Sequence, residues 1–138
     1  MLHPAIEVRQ KGSVHGKGLF TKVFIPKVEV LWKLKDPVYS WRQIKTWSEE
    51  KRKAFKYYGF QCGVDRYSLP YGDSREANHS CNPNMVWADS NTLISRWNIQ
   101  VGEELTYDYA SCDITLPMKI DCDCGAKNCR GTITNLDY

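Results

Sequence analysis

With 138 residues, 42% of them apolar and 25% charged, the chain is long enough to bury a core as one domain, and it holds no low-complexity tract or internal repeat. Its longest uncharged apolar runs are only a few residues and the N-terminal "MLHPAIEVRQKG" lacks the basic and apolar regions of a signal peptide, which excludes a membrane-spanning helix and predicts an intracellular protein. The net charge of +3 counts thiols as neutral; four thiolates on one Zn²⁺ subtract two and leave about +1, so the charge balance gives no support to nucleic-acid binding.

In chain order, residues 5–9 and 22–34 are rich in β-branched and aromatic side chains and predict short strands, the second broken at Pro26. The three glycines of "GSVHGKGLF" between them predict a turn. From Ser40 to Tyr58 the period changes: Trp41, Ile44 and Trp47 recur at helical spacing, and Ser48 can cap a second segment that carries Phe55 and Tyr58. Within it, "EEKRKAFK" reads as a solvated helix face. Short strands are predicted again at 59–63, 66–70, 84–88, 91–97 and 104–107, most of them separated by Gly, Pro, Asn and Asp. No β-α-β repeat is visible, which argues against a doubly wound nucleotide fold and leaves a mainly β chain with one or two short helices.

Six cysteines in an intracellular chain favour metal or redox chemistry over a disulfide framework. "CDCGAKNCRG" places Cys122, Cys124 and Cys129 on a tight glycine-containing turn, where three thiols can converge on one ion. A closed tetrahedral site needs a fourth ligand, for which Cys62, Cys81 and Cys112 are the candidates. Residues 77–84, "ANHSCNPN", crowd hydrogen-bonding side chains into a turn with no apolar period. Two further segments stand out, "HGKGLF" and "GEELTYDY".

Taken together and in this order, "HGKGLF", "NHSCNPN", "GEELTYDY" and "CDCGAKNCRG" resemble the motifs of the SET-domain protein lysine methyltransferases with a post-SET cysteine tail. The resemblance implies a β-clip fold of small sheets, with a C-terminal pseudoknot made by threading the "GEELTYDY" segment past the "NHSC" loop. It implies a SET domain over residues 1–112 and a zinc-binding tail over 113–138. S-adenosylmethionine would be the methyl donor and a lysine of a protein, such as a histone, the acceptor. One structural Zn²⁺ is expected on Cys81, Cys122, Cys124 and Cys129. The compartment would be the cytoplasm in a bacterium and the nucleus in a eukaryote or after export to a host. No membrane partner and no direct nucleic-acid partner are expected.

Individual roles follow from the same resemblance. Gly16, Lys17, Gly18 and Leu19 would contact the cofactor through the glycine turn, where missing side chains let backbone approach a ligand. Asn78, which both donates and accepts, suits the cofactor's amino-acid end, with His79 and Arg75 beside it and Asn82-Pro83-Asn84 fixing the loop. Tyr109 is the expected catalytic residue, and Tyr107 and Tyr58, with Tyr57 as a rival for the last place, would wall the lysine channel. In a strand, Tyr107 and Tyr109 face the same side. Tyr67, Trp32 and Trp97 are expected in the core. Glu103 and Glu104 are expected to shape the turn after Gly102.

Two features depart from the family pattern. Glu76 and Ala77 stand where an aromatic and Ile or Val are usual, and the insert at about residues 35–60 is short. The competing function is a catalytically silent SET-like module that binds a peptide and uses zinc structurally. An intact Tyr109, Asn78 and glycine turn argue against it.

Overall fold

The computed structural model describes residues 1–10, 16–112 and 119–137. His15, which opens the glycine motif, and the expected domain boundary after residue 112 lie outside the described residues or at their edge. The chain is mainly β, built from strands of two to five residues. The first half gives β1 (Ile6–Arg9), β2 (Gly18–Thr21), β3 (Val30–Lys33), β4 (Val38–Tyr39), α1 (Trp41–Lys45) and α2 (Glu49–Tyr58). Then come β5 (Phe60–Gly63), β6 (Arg66–Ser68), β7 (Asn78–His79), β8 (Met85–Asp89), β9 (Thr92–Ser95), β10 (Glu104–Tyr107), β11 (Lys119–Asp121) and β12 (Thr132–Thr134). Two 3₁₀ turns, Gly72–Glu76 and Tyr109–Ser111, flank β7 and β10 respectively.

Strands this short cannot each hold themselves together, so the fold relies on a core shared between sheets. Leu19, Ile25, Leu31, Leu93, Ile99 and Leu105 are sealed from solvent in one cluster that joins the sheet β1-β2-β10-β7 to the sheet β3-β9-β8. Trp32, Phe60 and Trp87 stack at ring-centroid distances of 5.9 Å and carry that core toward the third sheet, β4-β6-β5. A second cluster, Ile44, Phe55 and Tyr67, lies beneath the helices. Tyr67 and Trp32 are thus core residues as expected, while Trp97 is only partly buried against the core.

Both helices are fixed at their starts by sequence-visible caps. Ser40 and Gln43 form a capping box on α1, and Ser48 accepts the Lys51 N–H on α2, whose first turn carries Glu49 and Glu50 against the helix dipole. Gly59 then lets the chain turn sharply: a Cβ there would sit 2.2 Å from the Phe55 ring. The glycine segment differs from expectation, since Gly18, Leu19 and Phe20 are strand residues of β2 paired with β1, and of its described residues Gly16 and Lys17 form the bend before them. Of residues 22–34, only Val30–Lys33 forms a strand; before it, Ile25 makes a single bridge to Ile99.

The knot-like element is β10. It runs antiparallel to β2 on one side and parallel to β7 on the other, so a late segment is inserted between two earlier ones. Asn84 holds it there. Its carboxamide donates to the Glu104 carbonyl at 2.8 Å and accepts the Thr106 N–H at 3.0 Å, acting as one residue of an extra strand. Asn84→Ala leaves both backbone groups without partners in a buried place, so a loss of about 2–4 kcal/mol is expected in urea unfolding. An unchanged midpoint would show that β10 is anchored elsewhere.

Candidate active site and thiol cluster

A cavity of about 980 Å³ opens between the C-terminal half of α2, the Gly72–Glu76 turn, β7 and the end of β10. Gly16, Lys17, Tyr58, Arg75, Asn78, Tyr107 and Tyr109 all line it, so residues up to 93 positions apart in sequence meet at one place. Gly18, Leu19 and His79 do not: Gly18 and Leu19 are strand and core, and His79 is buried behind the wall. Gly16 has φ +57°, a conformation glycine adopts without strain, and a Cβ there would meet nothing within 4 Å. The turn therefore presents bare backbone to the cavity.

Tyr109 is positioned through both ends. Its hydroxyl donates to the Ala77 carbonyl at 2.9 Å, and its backbone N–H donates to His79 Nδ1 at 3.2 Å. Burial, reinforced by Tyr57 and Glu104 nearby, holds its phenol well above the ordinary tyrosine range, so it is a neutral hydroxyl. With its proton committed to Ala77, the oxygen still has lone pairs to offer a neighbour. The Tyr107 ring lies 5.0 Å away. The two tyrosines meet even though β10 ends at Tyr107 and Tyr109 begins a 3₁₀ turn. The departure at residue 77 is accommodated here, because Tyr109 uses a carbonyl that any side chain leaves in place.

Asn78 spans the cavity floor. Its amide nitrogen donates to the Lys17 carbonyl at 2.8 Å and to Glu104 Oε1 at 2.7 Å. Glu104 therefore orients Asn78 instead of shaping the turn; only Glu103 does that, accepting the Gln100 N–H at 2.7 Å. Also lining the cavity, the Arg75 guanidinium lies 4.4 Å over the Tyr58 ring, an attractive cation–π geometry. Tyr58 is the last residue of α2 and half-buried, whereas Tyr57, which also lines the cavity, is 81% exposed.

Behind Tyr109 lies a cluster of sulfur. Cys81 and Cys122 Sγ are 3.8 Å apart, and Cys122 and Cys129 Sγ are 3.7 Å apart. A tetrahedron with Zn–S bonds of about 2.3 Å has edges of about 3.8 Å, so these spacings fit zinc. Cys124 joins them, with its sulfur accepting the Cys81 N–H at 3.4 Å. Crowding makes the thiols unequal. Burial and the adjacent thiols push Cys122 up to about 12. For Cys124, burial is outweighed by the N–H groups of Cys81 and Ala126, which bring it down to about 7. A divalent cation would relieve that crowding by stabilising every thiolate at once.

His79 belongs to the most compact set of these donors, His79, Cys81, Cys122 and Cys124, which does not include Cys129. Its ligand nitrogen lies within 4.8 Å of the ligand atoms of Cys81, Cys122 and Cys124, and Nε2 is 3.3 Å from Cys81 Sγ. Because Nδ1 accepts the Tyr109 N–H, the ring proton sits on Nε2, which makes His79 a hydrogen-bond donor to the Cys81 sulfur. The other two candidates for the fourth ligand are engaged elsewhere. Cys112 Sγ accepts the Trp87 indole N–H at 3.0 Å, and Cys62 Sγ faces the Arg66 carbonyl at 3.4 Å.

Sequence reading missed the pair that ties tail to site. Arg130 Nη2 meets Asp108 Oδ1 at 2.6 Å, its backbone N–H reaches Cys81 Sγ at 3.4 Å, and Nη1 reaches Asp137 at 3.3 Å. Asp108 is buried between the two tyrosines and caps the Tyr109–Ser111 turn through Ala110 N. A charged residue directly after the last cysteine was the available signal. Among the described residues no helix is long and apolar enough to cross a membrane.

Comparison with known proteins agrees with this geometry. Residues 16–110 match the profile of the SET domain. Histone-lysine N-methyltransferase SETD1B of Xenopus laevis is 46% identical over 70 residues, covering 44% of this chain and 3% of that protein. Histone-lysine N-methyltransferase 2D of Homo sapiens is 38% identical over 96 residues, covering 64% and 2%. Histone-lysine N-methyltransferase 2B of Homo sapiens is 31% identical over 137 residues, covering 87% and 5%. The chain thus spans between 2% and 5% of the length of these relatives. With most of its length matched, it belongs to the SET-domain family.

Proposed function

We propose that this protein is an S-adenosylmethionine-dependent methyltransferase acting on the ε-amine of a lysine in a protein, a histone being one candidate, and that it adds mainly one or two methyl groups. The observation that carries this reading is the neutral Tyr109 hydroxyl pinned by the Ala77 carbonyl in a cavity shared with Tyr107, Asn78 and the bare glycine turn. The residues present fit the donor molecule: the cavity combines open backbone at Gly16 with Trp32, whose buried indole N–H has no hydrogen-bond partner among the described residues. Gly16, Lys17, Arg75 and Asn78 would hold it, with Gly18, Leu19 and His79 supporting them from behind. When bound, it supplies a sulfonium-activated methyl group.

The work left to the chain is to deliver a neutral amine in line. A free lysine, with pKa about 10.4, is protonated at pH 7, and a dry aromatic channel walled by Tyr58 and Tyr107 favours loss of that proton to solvent. The neutral amine so produced would present its lone pair to the methyl group that the donor supplies, with the Tyr58 and Tyr107 rings setting the line of approach. Tyr109 orients the amine through its oxygen lone pairs without giving up its own proton. Tyr107 can hold a water beside the amine, filling the space a further methyl would need.

The metal reading accompanies this. Cys81, Cys122, Cys124 and Cys129 would hold one Zn²⁺ as a structural ion, with His79 donating to the Cys81 thiolate. Residues 113–138 would then form a zinc-held tail attached to a SET domain over 1–112.

Calorimetric titration should detect S-adenosylmethionine binding that Asn78→Ala weakens about tenfold or more; no binding by the zinc-loaded chain would remove the enzyme reading. Tyr109→Phe is expected to lower the rate by about 100-fold. Tyr107→Phe should keep activity and shift the product toward di- and trimethyl-lysine in mass spectrometry. Early dominance of trimethyl-lysine in the wild type would mean Tyr107 is not the gate.

For the metal, elemental analysis should give one zinc per chain, lost in Cys81→Ser and Cys129→Ser and kept in Cys112→Ser. Retention by Cys129→Ser and loss in His79→Gln would assign the fourth place to the histidine.

A further inference from the structure

The rim of the cavity is positive far beyond what the net charge suggests. Lys17, Arg52, Lys56, Arg75 and Lys119 line it, and Glu76 is the one carboxylate among the described lining residues. Arg75 has a partner, Glu76 at 3.8 Å. The side chains of Lys17, Arg52, Lys56 and Lys119 form no ion pair among the described residues. Neighbouring charges on α2 are already satisfied: Lys53 pairs with Glu49 at 2.9 Å, and Lys51 lies 3.9 Å over the Trp47 ring. Arg52 and Lys56 are one helical turn apart, so the cations left over on this helix share its cavity-facing side. Glu104, the nearest carboxylate behind the floor, is engaged by Asn78.

With Arg75 paired to Glu76, four cations remain, and a methyl donor whose single carboxylate is outweighed by its own ammonium and sulfonium cannot balance them. Lys17 and Arg75 stand beside Asn78 and the glycine turn, which leaves Arg52, Lys56 and Lys119 for whatever enters from the side of α2 and β11. Exposed Trp41 and Tyr57 on that same rim offer apolar platforms. We propose that the acceptor lysine lies in an acidic peptide segment, with Asp or Glu flanking it, and that Arg52, Lys56 and Lys119 select that context. This rests on the methyltransferase reading and narrows its substrate class. A lysine- and arginine-rich tail would meet like charge on entry, whereas an acidic one is drawn in. The same field disfavours the ammonium form of the incoming lysine, so it also helps the reaction.

The test uses the zinc-loaded full chain and three peptides of equal length, each with one central lysine and acidic, neutral or arginine-rich flanks. Binding is read by fluorescence anisotropy and methyl transfer by mass spectrometry. The acidic peptide is expected to bind about tenfold tighter than the neutral one at low salt, the gap narrowing toward about twofold near 0.5 M salt. Arg52→Glu with Lys56→Glu should erase that preference while leaving the melting temperature and S-adenosylmethionine affinity unchanged. Equal or tighter binding of the arginine-rich peptide, survival of the preference in the double variant, or equal competition by a single-stranded oligonucleotide would overturn the proposal. Acidic preference in binding with methyl transfer to none of the peptides would uphold the docking surface and sink the methyltransferase reading.

Discussion

The Asn84 carboxamide is the constraint on which the site depends. Every residue that gives the cavity its chemistry on the far side of the knot belongs to β10 or the turn after it: Glu104, Tyr107, Asp108 and Tyr109. That segment has only two ladder partners on β2 and two on β7, too few to set its register alone. The paired bonds from Asn84 to Glu104 O and Thr106 N fix it to the atom. A slip by one residue would turn Tyr107 away from the cavity and bring Thr106 into it. Pro83, by restricting the chain just before Asn84, lowers the entropy lost in holding that carboxamide still.

A second layer of positioning runs from the sulfur cluster to the reacting end of the site. Cys81 meets His79, His79 meets the Tyr109 backbone, and Arg130 grips both the Cys81 sulfur and Asp108. The tail and the tyrosine are therefore one mechanical unit. Backbone, ring and carboxylate are each fully engaged in that unit, which leaves the Tyr109 hydroxyl as its working end.

Much of this was legible beforehand because the chemistry needs particular residue types. Ser40, Ser48 and the Trp41, Ile44, Trp47 spacing revealed the helices, since capping and periodicity are local. The tyrosines, Asn78 and the cysteines were legible as motif members, and they do converge. What stayed hidden was pairing at long range. Nothing local marks Glu104 as the partner of Asn78, 26 positions away, or Ala77 as the acceptor for Tyr109, since a backbone carbonyl has no sequence signature. Gly18 read as turn because glycine usually does, yet pairing with Arg9 makes it strand. Tyr58 ranks above Tyr57 only narrowly in the sequence, and burial is what separates them. A run of basic residues on α2 read as a solvated face until the fold put two of them at the cavity rim.

The Arg130–Asp108 contact has a consequence for how the protein comes into being. Arg130 lies 22 residues beyond Asp108, so the tyrosine-bearing turn cannot receive its last brace until the segment that follows it has been synthesised. Earlier still, Cys81 is present in a nascent chain whose core cluster, through Cys112, has been made, while Cys122, Cys124 and Cys129 are still to come. The β core can form first, and competence follows as a separate maturation event in which the tail closes onto Cys81. Supply of metal and a reducing environment during that interval would then govern how many folded molecules become working ones.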